Sequence, residues 1–167
     1  LRGAGSEGTL LAVLDHAATA MGARLLRRWL LAPLLRVDAI RARHDAVGEL
    51  AEDGELRRAL RARLAEIRDL ERLAVKAASG RATPRDLLAL LASLQQVPPL
   101  ADVLAPAGAA LLAAHRAGLD PLAEVVELLQ TALAPDAPAN LGDGGVIRAG
   151  HHAELDELRA TREGAVE

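Results

Sequence analysis

Between Thr9 and Leu35 the chain reads TLLAVLDHAATAMGARLLRRWLLAPLL, and its apolar residues recur every three or four positions. Leu10, Val13 and Leu14 form one run. Met21, Leu25 and Trp29, with Leu26 and Leu30 beside them, form a second. That period gathers side chains on one face of an α-helix, whereas a half-buried strand needs strict alternation. Met21-Gly22 stands between the runs, and Pro33, which lacks a backbone N–H, closes the second. The stretch predicts two helices packed as a buried hairpin.

The same period continues along the chain, so the expected class is all-α, an irregular multi-helix bundle. Composition explains why strands are not expected. Hydrophobic residues make up 51% of the 167 positions but aromatics only 1%, Trp29 being the single aromatic. The core must then be Leu, Val, Ile and Ala, and the two commonest of these favour helices. A chain of this length suffices for one domain, burying about two-thirds of its unfolded surface.

Residues 1–8 are glycine-rich and read as a linker. Within them Ala4-Gly5-Ser6-Glu7-Gly8 falls short of a nucleophile elbow, because the first glycine and a preceding strand are missing. A helical core is expected over residues 9–134. After the hairpin, a third helix is predicted over Val37 to Glu52, with Ile40, Val47 and Leu50 inward and Asp53-Gly54 as its stop. A fourth, Glu55 to Ile67, carries the stripe Leu56, Leu60, Leu64 and Ile67. Asp69 can cap a fifth, containing Leu70, Leu73, Ala74 and Ala77, that Gly80 ends. Thr83-Pro84-Arg85-Asp86 combines an N-cap threonine, a proline at the first helical position and an acid three residues after the cap. The helix it opens carries Leu87, Leu90, Leu91, Leu94 and Val97, and Pro98-Pro99 stops it.

Short helices are expected over Leu100 to Leu119, interrupted by Pro106 and Gly108. Asp120-Pro121 should restart the chain as cap and first turn, followed by the stripe Leu122, Val125, Val126, Leu129 and Leu133. Residues 135–152 read as a loop or short extended segment, and residues 153–167 as a last helix.

No reactive constellation assembles. Net charge is −3, against a domain whose main task is gripping phosphate. The best basic face is Arg57, Arg58, Arg61 and Arg63 on the fourth helix, diluted by Glu66, Asp69 and Glu71; Arg57, Arg58 and Arg61 are the candidate contacts to a DNA backbone. Arg24, Arg27 and Arg28 form a lesser cluster. Lys76, the only lysine, follows Val75 and not a glycine, so a phosphate-cradling Walker loop is not expected. Gly142, Gly144 and Gly145 lack the strand-to-helix setting of a dinucleotide turn and are expected to shape the entry to the last helix. His151, His152, Glu154 and Asp156 lack an evident third metal ligand, and His16 borders an apolar face without a catalytic partner. With no cysteine, a disulfide framework is excluded and a reducing cytosol is compatible. No apolar run reaches membrane-spanning length. No catalytic, cofactor-binding or metal-ligating residue is therefore expected.

Three blocks resemble one family. VLDHAATAMGARLLRRWLLAPL, DLERLAVKAASGRATPRDLLALLASL and DGGVIRAGHHAELDELR, in that order, resemble the core domain of the MutS mismatch repair family over about Thr9 to Arg159. The family patterns read roughly TLxxVLDxTxTxMGxRLLRRWLxxPL, DLERLxxRxxxGRxxPRDLxxLxxSL and DGGVIxxGxxxELDELR. The resemblance implies an all-α core coupling mismatch-DNA binding and a DNA-embracing clamp to an ATPase, with residues 153–167 starting a lever helix. It implies a cytoplasmic, nucleoid-associated parent that is a homodimer, binds ATP or ADP with Mg, engages mismatched double-stranded DNA and recruits MutL. None of the family's active groups matches here: with no Phe, the Phe-x-Glu wedge lies elsewhere. His151 stands where the family commonly has an aromatic residue. Helices returning from the clamp complete the family's core, so an exposed leucine-rich groove that drives self-association is expected. A stand-alone helical interaction module, a DNA-binding regulator using the Arg57–Arg63 face, and the core of a paralogue without mismatch recognition are the other readings.

Overall fold

A computed structural model describes residues 8–164. The α-helices follow in the order α1 (Leu10–Leu14), α2 (Ala20–Leu31), α3 (Val37–Glu52), α4 (Gly54–Ala65), α5 (Leu70–Ala78), α6 (Pro84–Leu94), α7 (Val97–Val103), α8 (Ala110–Ala117), α9 (Ala123–Ala132) and α10 (Ala153–Gly164). A 3-10 turn, Leu141–Asp143, precedes α10. Among the described residues, β-structure is limited to one isolated antiparallel bridge between Leu133 and Ile147. The all-α class holds. The expected linker, Gly8 excepted, lies outside the described residues, as do Ser6 and residues 165–167.

The chain divides into two compact units, each made of two stretches: Leu1–Glu71 with Gln95–Pro121, and Arg72–Leu94 with Leu122–Glu167. Residues 9–134, read from sequence as one helical core, contribute to both. The chain leaves the first unit after Glu71, returns at Gln95 and leaves again after Pro121, and periodicity says nothing about such returns.

In the first unit α3 packs on α8 and α4, and α4 packs on α7. The centre is Ala46, Leu104 and Leu112, with Leu50, Leu60, Ala107 and Leu119 packed around them. Ala46 is the buried residue of α3, while Val47, expected inward, is exposed. Each helical residue advances about 100°, so choosing Ala46 for the contact turns Val47 toward solvent. Both carboxylate oxygens of Glu49 accept from the start of α8, Oε1 from the Gly108 N–H and Oε2 from the Ala109 N–H, each at 2.7 Å. Ala109 is the N-cap of α8, whose N–H the helix cannot satisfy internally, and Gly108 is the residue before it. Asp53 serves two helices: its N–H donates to Glu49 O at the end of α3, and its carboxylate accepts from Leu56 N–H, 2.9 Å, to cap α4. Gly54 is thus the first residue of α4 and not a terminator of α3. Pro98 and Pro99 likewise lie inside the first turn of α7, where a missing N–H costs nothing, so they open a helix after α6 has ended at Leu94.

The stretch from Thr9 to Leu35 departs most from expectation. The break falls at residues 15–19, because Thr19 caps α2 by accepting the Gly22 N–H at 3.0 Å; Met21-Gly22 sits inside the first turn. A Cβ on Gly22 would come within 3.1 Å of the Thr19 hydroxyl oxygen, so glycine suits this capped turn. The two helices are not a buried hairpin. Neither contains a buried residue, and Leu10, Val13, Leu25, Trp29, Leu30 and Leu31 are exposed. The Arg43 guanidinium of α3 lies 3.7 Å from the centre of the Trp29 ring, a cation–π contact.

In the second unit α6 packs on α9, with Leu73, Leu91, Leu94 and Leu133 buried. Ser93 is fully buried and donates its hydroxyl to Ala89 O at 2.7 Å. Gly80 closes α5 as expected: it has φ +67°, and the following Arg81 N–H donates back to Lys76 O at 2.9 Å. The start of α9 differs from expectation. Asp120-Pro121 precede the helix, and Leu122 occupies the N-cap in a left-handed conformation, φ +48°. Of the stripe expected on α9, Leu122 and Val125 are exposed and Leu133 alone is buried. Past α9 the chain turns at Gly144 and Gly145, both with positive φ, and returns alongside itself. Ala134 N–H donates to Val146 O at 2.9 Å and Arg148 N–H to Ala132 O at 2.8 Å. Those glycines shape this return, whereas Gly150, φ +84°, shapes the entry to α10.

Truncating Leu112 to alanine removes buried methyls from the first unit's centre. The expected loss is about 2–4 kcal/mol by denaturant unfolding, against less than about 0.5 kcal/mol for Val47→Ala on the exposed side of α3.

Candidate functional site

The arginine face singled out in the sequence sits on α4, where Arg57, Arg58 and Arg61 share an exposed arc. Each guanidinium has a partner within the first unit. Arg57 Nη1 donates to Leu50 O at 2.6 Å and to Ala51 O at 2.9 Å, carbonyls of the last turn of α3 that no helical N–H reaches. Arg61 Nη1 donates to His16 O at 2.9 Å, tying the segment after α1 onto α4. Arg58 pairs with Glu55 one turn before it, both well exposed, an interaction worth little. Arg63 lies around the helix from the other three, beside Ala59, Ala62 and Glu66. The face therefore combines outward positive charge with two backbone ties.

Arg24 forks onto Asp69, with Nη1 and Nη2 at 2.7 and 2.8 Å, and reaches Glu71 at 2.6 Å. Hydrogen bonds to Asp69 first, and then to Glu71, hold this guanidinium protonated more firmly than an isolated one. Its partners are 45 and 47 positions away, beyond the reach of helical spacing.

Lys76, the one lysine of the chain, serves a structural contact. Its Nζ lies 2.7 Å from Asp86 Oδ1, joining α5 to the first turn of α6. Asp86 Oδ2 accepts from both the N–H and the hydroxyl of Thr83, at 3.0 and 2.9 Å, while Asp86 N–H donates to Thr83 Oγ1 at 3.2 Å. This is the reciprocal cap predicted by Thr83-Pro84-Arg85-Asp86, with a lysine added that local sequence did not indicate. The donors, Lys76 foremost, hold the Asp86 carboxyl down to about 2. The lysine thus joins the cap of α6 to the end of α5.

The histidines and acids near α10 do not converge either. Among the described residues no three His, Asp or Glu side chains gather as a metal site. His152 Nδ1 accepts from the Leu155 N–H at 3.4 Å in the manner of an N-cap, and Asp156 Oδ2 accepts from the Gly150 N–H at 2.7 Å. Asp156 Oδ1 pairs with Arg159 Nη1 at 3.2 Å, and Arg159 Nη2 donates to Ile147 O at 3.0 Å. No described helix is long and apolar enough to cross a membrane. What these charged groups share is mechanical: they fasten helix ends and loops to neighbouring elements. Sequence reading missed Glu49, Arg24 and Arg159 in this role, since in each case part of the contact spans a distance no local pattern encodes.

A family model described as MutS domain III matches residues 1–165. The chain is 48% identical over 159 residues to the DNA mismatch repair protein MutS of Chlorobaculum tepidum, covering 95% of this chain and 18% of that protein. It is 49% identical over 159 residues to the DNA mismatch repair protein MutS 2 of Haloarcula marismortui, covering 95% and 17%. A MutS of Synechococcus elongatus is 48% identical over 153 residues, 92% and 17% of the respective chains. The chain thus spans less than a fifth of the length of these relatives.

Two outcomes follow from the geometry. Arg57→Ala frees the last carbonyls of α3 and is expected to lower stability by about 0.5–1 kcal/mol in urea unfolding, an effect absent in Arg63→Ala. Because Asp86 is more acidic folded than its ordinary 3.8, its contribution is complete above about pH 4 and is lost as pH falls toward 2. Asp86→Asn should therefore lower stability at pH 6 and flatten the fall of the thermal midpoint between pH 4 and 2.

Proposed function

The chain belongs to the MutS domain III family, and from that premise we propose that it is the mechanical core of a DNA mismatch repair protein. In this reading it carries no reactive group. It couples mismatched-DNA binding and clamp closure elsewhere in the parent to that parent's ATPase. The parent would be a homodimer that uses ATP or ADP with Mg, recruits MutL and works in the cytoplasm on nucleoid DNA. The observation carrying this reading is the match along nearly the whole chain at close to half identity.

The placement of charge supports it. Load passes between helices only if their ends are held, and here Glu49, Arg57, Asp86 and Arg159 each hold an end or a turn to another element. Packed helices with discrete arrangements are the kind of element that can carry coupling between distant sites. Arg57 and Arg61 are read as internal ties first. Their outward charge adds a weak attraction for a DNA backbone, joined by Arg58.

A chimera tests the proposal. Replacing the matching region of the Chlorobaculum tepidum MutS by this chain should preserve mismatch-stimulated exchange of ADP for ATP. A chimera that folds and binds DNA and nucleotide normally, yet no longer couples the two, would overturn the mechanical reading.

A further inference from the structure

The entry to α10 contains a closed circuit of polar contacts. Arg159, in the second turn of α10, uses its two terminal nitrogens separately: Nη2 on the Ile147 carbonyl at 3.0 Å, Nη1 on Asp156 Oδ1 at 3.2 Å. The other Asp156 oxygen receives the Gly150 N–H at 2.7 Å. Gly150 holds φ +84°, a conformation that side-chain-bearing residues rarely adopt, and it aims that N–H at the carboxylate. Ile147 is in turn fixed by the return of the chain: it bridges Leu133, and its neighbour Arg148 donates backbone N–H to Ala132 O and side-chain Nε to Leu133 O, at 2.8 and 3.2 Å. Side chains of the first two turns of α10 are thereby attached at residues 147 and 150 to a segment anchored on the end of α9.

A helix held by its N-cap alone, here His152, can pivot about the preceding residue. A second attachment one turn further in removes that freedom. We propose that the Asp156–Arg159 pair is a positioning clasp that fixes the direction in which α10 departs from α9, deepening the mechanical reading above and resting on it. The planar guanidinium is suited to the task, since its fork reaches a carbonyl and a carboxylate together. An ammonium at the same place is a point donor and holds one of them well.

The chain has no cysteine, so two introduced cysteines can be labelled without background. Spin labels at Glu127→Cys on α9 and Ala160→Cys on α10, both exposed positions, report the direction of α10 as a distance distribution by pulsed electron resonance. The clasp predicts one narrow distribution. Arg159→Ala and Asp156→Ala should each widen it at least twofold, and the double variant no further, because either change opens the same circuit. Arg159→Lys should fall between, and Arg162→Ala, on the same helix but outside the circuit, should leave the width unchanged. Circular dichroism distinguishes pivoting from melting: helix content should stay constant while the distribution widens. Widths unchanged in both single alanine variants overturn the proposal, as does widening that merely follows a loss of helix content. Where an alanine variant fails to fold, Arg159→Lys and Asp156→Asn give the decision, and unchanged widths there overturn it equally. The measurement concerns α10 within this chain, so its failure is separate from failure of the chimera to couple nucleotide exchange to DNA.

Discussion

The carboxylate of Glu49 decides how the first unit closes. It projects from α3, takes the N–H groups of Gly108 and Ala109 through separate oxygens, and so fixes where α8 begins. Gly108 is exposed and Ala109 half-buried, so the carboxylate replaces water at these two amides and ties them to α3. With α8 set in this way, Leu112 comes to Ala46 and Leu104, and the buried cluster forms around them. Negative charge at a helix start also complements the helix dipole, so polar pairing and electrostatics act in the same direction.

That device recurs because the core itself is slight. Without Phe or Tyr, the buried centres are made from Leu, Val, Ile and Ala, and the only indole is half out of the interior. Small residues such as Ala46 let helices approach closely but fill little volume. Orientation then depends more on what holds the helix ends: Asp53 between α3 and α4, Arg57 on the last carbonyls of α3, Lys76 and Thr83 on Asp86, Arg159 on Ile147. Many apolar side chains on α1, α2 and α9 remain outside the packed centres.

Local chemistry in the sequence was a good guide to several elements. Both ends of α3 agree with the reading, Thr83 and Asp86 cap each other, and Gly80 ends α5 in a left-handed turn. Each depends on residues within a few positions of one another. Failures occurred where a residue type permits two roles. Proline stops one helix and opens the next, which moved Pro98-Pro99 from a terminator to the first turn of α7. A periodic stripe is defined to within one residue, which put Val47 inward in place of Ala46. Leucine at a left-handed N-cap, as at Leu122, has no sequence signature. In the site, the arginines of α4 were recognisable as a cationic arc, but their carbonyl acceptors were not, since backbone carbonyls are invisible to composition. The pairing of Arg24 with Asp69 and Glu71 required the fold itself.

Trp29 rests against Arg43 where α2 meets α3. With one indole and no tyrosine, the chain's near-ultraviolet absorption and its emission arise from that single junction. A cation stacked on the ring ties its surroundings to that contact. The molecule therefore carries its own optical gauge of whether α2 stays docked, in a region where its apolar surface is otherwise left open.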